Sequence, residues 1–120
     1  MRLQHITFQT YKMEEEIEFY QDFVGLKVDK DFEVRGSRIV FLSGNEGGSF
    51  IELIENNKVK KLDSKGITVG FSCEDLDSLR KKLLEKNYTP GDIIRPNEFV
   101  EFFFVKDPIG VNIQFIKNKK

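Results

Sequence analysis

The sequence predicts an α+β fold of two βαβββ modules, whose curved mixed sheets enclose a concave cleft with the helices outside. Three observations predict it. Leu3-Gln4-His5-Ile6-Thr7-Phe8 overlays Gly66-Ile67-Thr68-Val69-Gly70-Phe71, and both are short alternating runs. Each run is followed by a polar break, a helical pattern and further short apolar runs. The length, 120 residues, suits one domain. A repeat this long is a supersecondary unit, and two copies are too few for a solenoid, so a pseudo-symmetric single domain is expected. Module one spans residues 1–56, a linker 57–65 and module two 66–116.

In the first module, Leu3 to Gln9 alternates. Ile6 and Phe8 share one side with Gln4, while Leu3, His5, Thr7 and Gln9 share the other. The apolar side should pack on a helix and the mixed side should face a partly wet concavity. Lys12 to Phe23 reads as that helix, with Met13, Ile17, Tyr20 and Val24 in one stripe. Glu14, Glu15 and Glu16 crowd its first turn, where the dipole favours anions, and read as a solvated face. Gly25 is placed to end it. Strands follow at Leu26 to Phe32, Arg38 to Leu42 and Phe50 to Glu55, separated by turns at Arg35-Gly36-Ser37 and Gly44-Asn45-Glu46-Gly47-Gly48. Glu52 falls mid-strand between apolar neighbours, an unusual place for a carboxylate.

The linker carries Lys58, Lys60, Lys61 and Lys65. It reads as a solvated connection, with a cationic lid over an anionic ligand as the alternative. In the second module, Val69, Phe71 and Cys73 form the helix-packing side, and Thr68, Gly70 and Ser72 the concave one. Asp75 is an N-cap for a helix over Leu76 to Lys86, with Leu76, Leu79, Leu83 and Leu84 as its stripe. Asn87 to Gly91 is a stop and turn. Ile93-Ile94-Arg95 reads as a short strand and Glu98 to Val105 as a longer one. Lys106 to Gly110 is a turn, and Val111 to Ile116 the last strand, with Asn112, Gln114 and Ile116 on one side. Lys117 to Lys120 reads as a disordered polar tail.

Composition narrows the function. A net charge of −1 gives no general attraction to nucleic acid or an anionic membrane. No apolar run is long enough for a membrane span, and the N-terminus lacks a secretory h-region. The single cysteine, Cys73, makes no internal disulfide, so a cytoplasmic setting is expected. It reads as a small semi-buried residue.

Four stretches carry a resemblance. They are Leu3 to Phe8, Phe19-Tyr20-Gln21-Asp22-Phe23-Val24-Gly25-Leu26-Lys27-Val28, Gly70 to Asp77, and Asp107-Pro108-Ile109-Gly110-Val111-Asn112-Ile113-Gln114-Phe115. Together they resemble the vicinal oxygen chelate superfamily of glyoxalase I, bleomycin-resistance proteins, fosfomycin-resistance enzymes and extradiol dioxygenases. The resemblance implies a homodimer and a metal site drawing one residue from each of four strands. Those positions fall on His5, Glu52, Thr68 and Gln114. His and Glu suit divalent nickel, zinc, manganese or iron. Thr68 and Gln114 depart from the family's usual His and Glu, so the carboxylate base of glyoxalase chemistry is an amide here. With one histidine in the chain, a site of two His and a carboxylate cannot be built from one copy.

Three readings stay open. The first is a small-molecule binder without a full metal site or cofactor, anchored by His5, Glu52, Thr68 and Gln114 with Phe50 and Phe103 as aromatic surface. The second is a lyase, isomerase or transferase with a divalent metal on His5, Glu52 and Gln114, and Glu52 as the candidate catalytic group. The third is an interaction protein with a closed core.

Overall fold

The computed structural model describes residues 1–44, 50–61 and 65–119; the side chain of Phe50 also lies outside the described atoms. The glycine-rich turn before Phe50, the centre of the linker and Lys120 therefore lie largely or wholly outside the described residues. The fold is α+β, with one mixed sheet of four strands and one of three. The chain divides into two compact units, Met1–Lys61 and Leu62–Lys120.

The first unit contains β1 (His5–Thr10), α1 (Met13–Phe19), a π-helical turn (Tyr20–Val24), β2 (Lys27–Val34), β3 (Ser37–Ser43) and β4 (Phe50–Glu55). Its sheet runs β1-β4-β3-β2, with β1 parallel to β4 and the other pairs antiparallel. The first strand thus pairs with the last. At the end of β1 the buried Thr10 accepts the Lys12 N–H on Oγ1 at 2.9 Å, which turns the chain into α1. Gly25, at φ 84°, ends the helical run, and the Leu26 N–H closes on the Tyr20 carbonyl at 2.9 Å. Arg35 (φ 53°) and Gly36 (φ 81°) make a two-residue hairpin turn matched to strand twist.

The buried arc of the helix is wider than the predicted stripe. It holds Met13, Ile17 and Tyr20 as expected, but also Phe19, Phe23 and Glu16. The Phe19 and Tyr20 rings meet edge-on at 5.0 Å, and Phe8 lies 6.1 Å from Tyr20. Only part of the glutamate run is solvated. Glu14 and Glu15 are exposed, whereas Glu16 is 0% exposed because it lies one turn from Met13 and Tyr20 on the packed side. Glu14 instead pairs with Arg38, which also grips Asp31 and holds that carboxyl below the usual range through their hydrogen bond.

The second unit contains β5 (Thr68–Ser72), α2 (Leu76–Glu85), β6 (Val100–Lys106) and β7 (Asn112–Asn118). Its sheet runs β5-β7-β6, β5 parallel to β7 and β6 antiparallel. Asp75 caps α2 by accepting the Ser78 N–H at 3.0 Å. Leu76 and Leu83 are buried, Leu79 is half-buried and Leu84 is exposed. Asn87, at φ 68°, stops the helix. Cys73 is half-buried, and burial pushes its thiol pKa up.

Two expectations are corrected here. Ile93-Ile94-Arg95 is not a strand but contributes one bridge, Ile94 with Phe102. Pro90 and Pro96 flank the segment, and Pro96 has no N–H to extend the ladder. The tail is ordered through Lys119. Its N–H donates to the Phe99 carbonyl at 2.6 Å, and its Nζ lies 2.9 Å from Glu101 Oε2. Arg95 Nε reaches the same oxygen at 2.8 Å.

Lys119, then Arg95, holds the Glu101 carboxyl below the ordinary glutamate range. A folded-state pKa depressed in this way adds stability that is present above the unfolded value and lost as pH falls through the folded value. Lys119→Ala should therefore shrink the difference in urea midpoint between pH 7 and about pH 3. An unchanged difference would show that the clamp contributes nothing.

Candidate functional site

Strand alternation and register assemble an open face on the first sheet. Thr7 pairs with Glu52, Glu52 with Phe41, and Phe41 with Lys30 across β1, β4, β3 and β2. Directly paired strand residues point to the same side, so these four share one face. His5 and Gln9 flank Thr7 on β1, and Ile54 follows Glu52 on β4. On the other face Phe8, Val40, Leu42, Ile51 and Leu53 are buried.

The polar centre of the open face is compact. Thr7 Oγ1 donates to Glu52 Oε1 at 2.5 Å. His5 Nε2 lies 3.4 Å from the same oxygen. The His5 side chain is 35% exposed and that of Glu52 14%, so the carboxylate is sheltered while the imidazole stays accessible. The edge of one ring meets the face of the other between His5 and Phe41, with centroids 5.8 Å apart at 85°. Phe32 stacks on Phe41 at 6.2 Å and 16°. Beside them is a cavity of about 180 Å³ lined by Gln4, His5, Asp29, Lys30 and Phe41. Such a surface offers an aromatic wall, a sheltered acceptor and a ring nitrogen.

The second sheet carries Thr68, Asn112 and Gln114 on its open face. Asn112 Nδ2 donates to Thr68 Oγ1 at 2.9 Å. Gln114 pairs with Gly70 in register, and a Cβ on Gly70 would come within 3.5 Å of Gln114 Oε1. That is an ordinary van der Waals distance, so an alanine there would fit beside the amide.

The structure therefore brings His5 and Glu52 together, and sets Thr68 and Gln114 on one face of their own sheet. Phe103 is a correction. It is 0% exposed, packed on Phe115 with centroids 5.6 Å apart, so it belongs to the core and not to a ligand surface. On β6 the aromatics facing the same side as Gln114 are Phe102 and Phe104, because alternation puts them opposite Phe103. Residues that the sequence reading left out of the site are Thr7, Phe41, Phe32 and Lys30.

The donor chemistry can be weighed against a metal. The His5–Thr7–Glu52 cluster offers one imidazole and one carboxylate, short of the three protein ligands of catalytic zinc sites, with Asp29 lining the cavity beside His5. Thr68 and Gln114 would add only neutral oxygens, and Thr68 Oγ1 already accepts from Asn112. Among the described residues no three His, Cys, Asp or Glu come together. Within the first unit, His5 and Glu52 alone do not make up a three-ligand site.

The family model of the Glyoxalase/Bleomycin resistance protein/Dioxygenase superfamily matches residues 2–115. The chain belongs to this superfamily. Curated relatives at 27% identity are the lactoylglutathione lyases of two Neisseria meningitidis strains, of serogroups A and B. Those alignments cover 99% of this chain and 92% of each relative. Solved structures agree on the superfamily fold. A glyoxalase family protein from Bacillus cereus superposes with a TM-score of 0.84 at 16% identity, covering 100% of this chain and 95% of its own. The trypanothione-dependent glyoxalase I of Leishmania major gives 0.77 at 24%, covering 98% and 86%. An antibiotic-binding protein from a Streptomyces species gives 0.74 at 14%, covering 99% and 97%. Among the described residues no helix is long and apolar enough to cross a membrane.

Proposed function

We propose that this superfamily member binds a small organic molecule against the His5–Glu52 face, without a complete metal site. The observation that carries the reading is the shared Glu52 oxygen. It accepts from Thr7 and faces His5, and His5 and the Phe41 ring in turn line one cavity, so a polar anchor and an apolar wall meet there. Thr68 and Gln114 join the reading on the family resemblance alone, as does a homodimer.

A second reading is a metal-dependent lyase, favoured by the 27% identity to lactoylglutathione lyases and by His5 and Glu52 standing at two of the family's ligand positions. Titration with nickel, zinc, manganese and iron(II) separates the two. The expected result is no submicromolar metal binding, together with an organic compound that raises the melting temperature of the wild type but not of the His5→Ala, Glu52→Ala double variant. Submicromolar metal binding abolished in that double variant would replace the binder by the lyase.

A further inference from the structure

The larger cavity of the first unit, about 610 Å³, lies elsewhere on the same open face and has no part in the reading above. Gln9 and Ile54 line it, and they follow Thr7 and Glu52 by two residues on β1 and β4. One two-residue step along a strand is about 7 Å. Its rim carries Arg35 from the β2–β3 turn and Lys58 from beyond β4.

Its framework groups are already satisfied by one another. The Asn56 N–H donates to the Thr10 carbonyl at 2.8 Å, and Asn56 Nδ2 to Gln9 Oε1 at 2.8 Å. Asn56 Oδ1 accepts the Lys58 N–H at 3.0 Å, and Ser37 Oγ donates to the Glu55 carbonyl at 2.6 Å. The groups left to meet a ligand are mostly donors: the Arg35 guanidinium, the Lys58 ammonium and the Gln9 Nε2 amide. Among the described residues, neither Arg35 nor Lys58 is paired with a carboxylate. Glu55 is the one acidic residue of the lining, so the two cations outnumber it.

We propose that Arg35 and Lys58 form an oxyanion site for a small organic acid, carrying a carboxylate or phosphate, whose body runs over Ile54 toward Glu52. The volume exceeds that of a bare inorganic anion and falls in the range of organic ligand pockets. Arg35 is held for the task by its turn, since the left-handed pair Arg35–Gly36 fixes the backbone from which the guanidinium extends. Both cations line the one cavity, and a planar guanidinium fork and an ammonium point charge are each suited to an oxyanion. The course of the ligand body rests on the function proposed above; the oxyanion site itself does not.

The test is amide chemical-shift titration of the full chain with inorganic phosphate and, separately, succinate. Shifts should cluster at residues 35–37 and 56–58. Arg35→Asn tolerates the left-handed backbone, and combined with Lys58→Gln it should weaken phosphate binding by about tenfold or more. Lys58→Gln alone should weaken it in the same direction, which keeps the test available if the double variant is misfolded. Lys60→Gln with Lys61→Gln should bind as the wild type. Equal binding by the Arg35 and Lys58 variants, or loss in the Lys60, Lys61 control, would reduce the site to diffuse surface charge and overturn it. His5→Ala with Glu52→Ala should leave phosphate binding intact. A loss of phosphate binding in that variant would overturn an independent oxyanion site, whereas failure of the binder reading would leave this titration unaltered.

Discussion

Phe103→Ala should cost the second unit about 3–5 kcal/mol, the range for emptying a buried aromatic position. Phe103 has no exposed surface and sits between Val105 and Glu101 on the packed side of β6, paired with Phe115. Removing the ring leaves Phe115 with Phe71 as an aromatic neighbour but opens a void that β6 and β7 close only in part. Phe102→Ala makes the control: Phe102 is half-buried on the opposite side of the strand and should cost less than half as much. Urea unfolding of both variants checks the pair. Equal costs would mean that the face assignment of β6 is wrong.

Asp107→Ala should be the second most damaging change, by about 2–4 kcal/mol, because it orphans two buried donors at once. The Asp107 Oδ1 atom accepts the Ile109 N–H at 3.0 Å and the Val111 N–H at 2.9 Å. Its backbone closes the same turn, with its N–H on the Val111 carbonyl at 3.0 Å and its carbonyl accepting from Gly110 at 3.0 Å. Water cannot replace the carboxylate easily, since Asp107, Ile109 and Val111 are all nearly inaccessible. Asp107→Asn keeps an acceptor oxygen in place and should recover more than half of the loss. Thermal unfolding would show whether the two variants separate. If alanine and asparagine fall together, the carboxylate matters for its charge and not for holding the turn.

Much of the fold could be read from residue order. Alternation in Leu3 to Gln9 placed Ile6 and Phe8 on the packed side and His5, Thr7 and Gln9 on the open one, as the structure has them. The same two-residue period sets Glu52 on the side opposite Ile51 and Leu53, and the family resemblance, not the period, implies its place in the site. What failed needed partners. The segment 93–95 looked like a strand by composition, yet strand length depends on the neighbour's hydrogen bonds, and Pro96 withholds one. Glu16 was grouped with Glu14 and Glu15 by charge, although helical geometry puts it beside Met13 and Tyr20.

The site was half legible for a related reason. The Arg35–Gly36 turn fixes the β2–β3 register, so Phe32 opposite Ile39 could have been deduced. Phe41 opposite Glu52 could not, because a longer glycine-rich connection separates β3 from β4 and leaves their register free. Phe103 is misassigned because alternation puts it on one side with Glu101 and Val105, and no sequence feature says which side is the buried one. The buried group includes an acid because Arg95 and Lys119 reach Glu101 from the margin.

The parallel pairing of β1 with β4 has a kinetic consequence. Thr7 and Glu52 lie 45 residues apart in sequence, and nothing local can bring them together. During synthesis the opening strand must wait, unpaired on that edge, until the fourth has left the ribosome. Loop closure over such a span is slow compared with forming the β2–β3 hairpin. The imidazole of His5 should therefore acquire its native environment only in the phase that docks these two strands, making its proton resonance a clock for that closure.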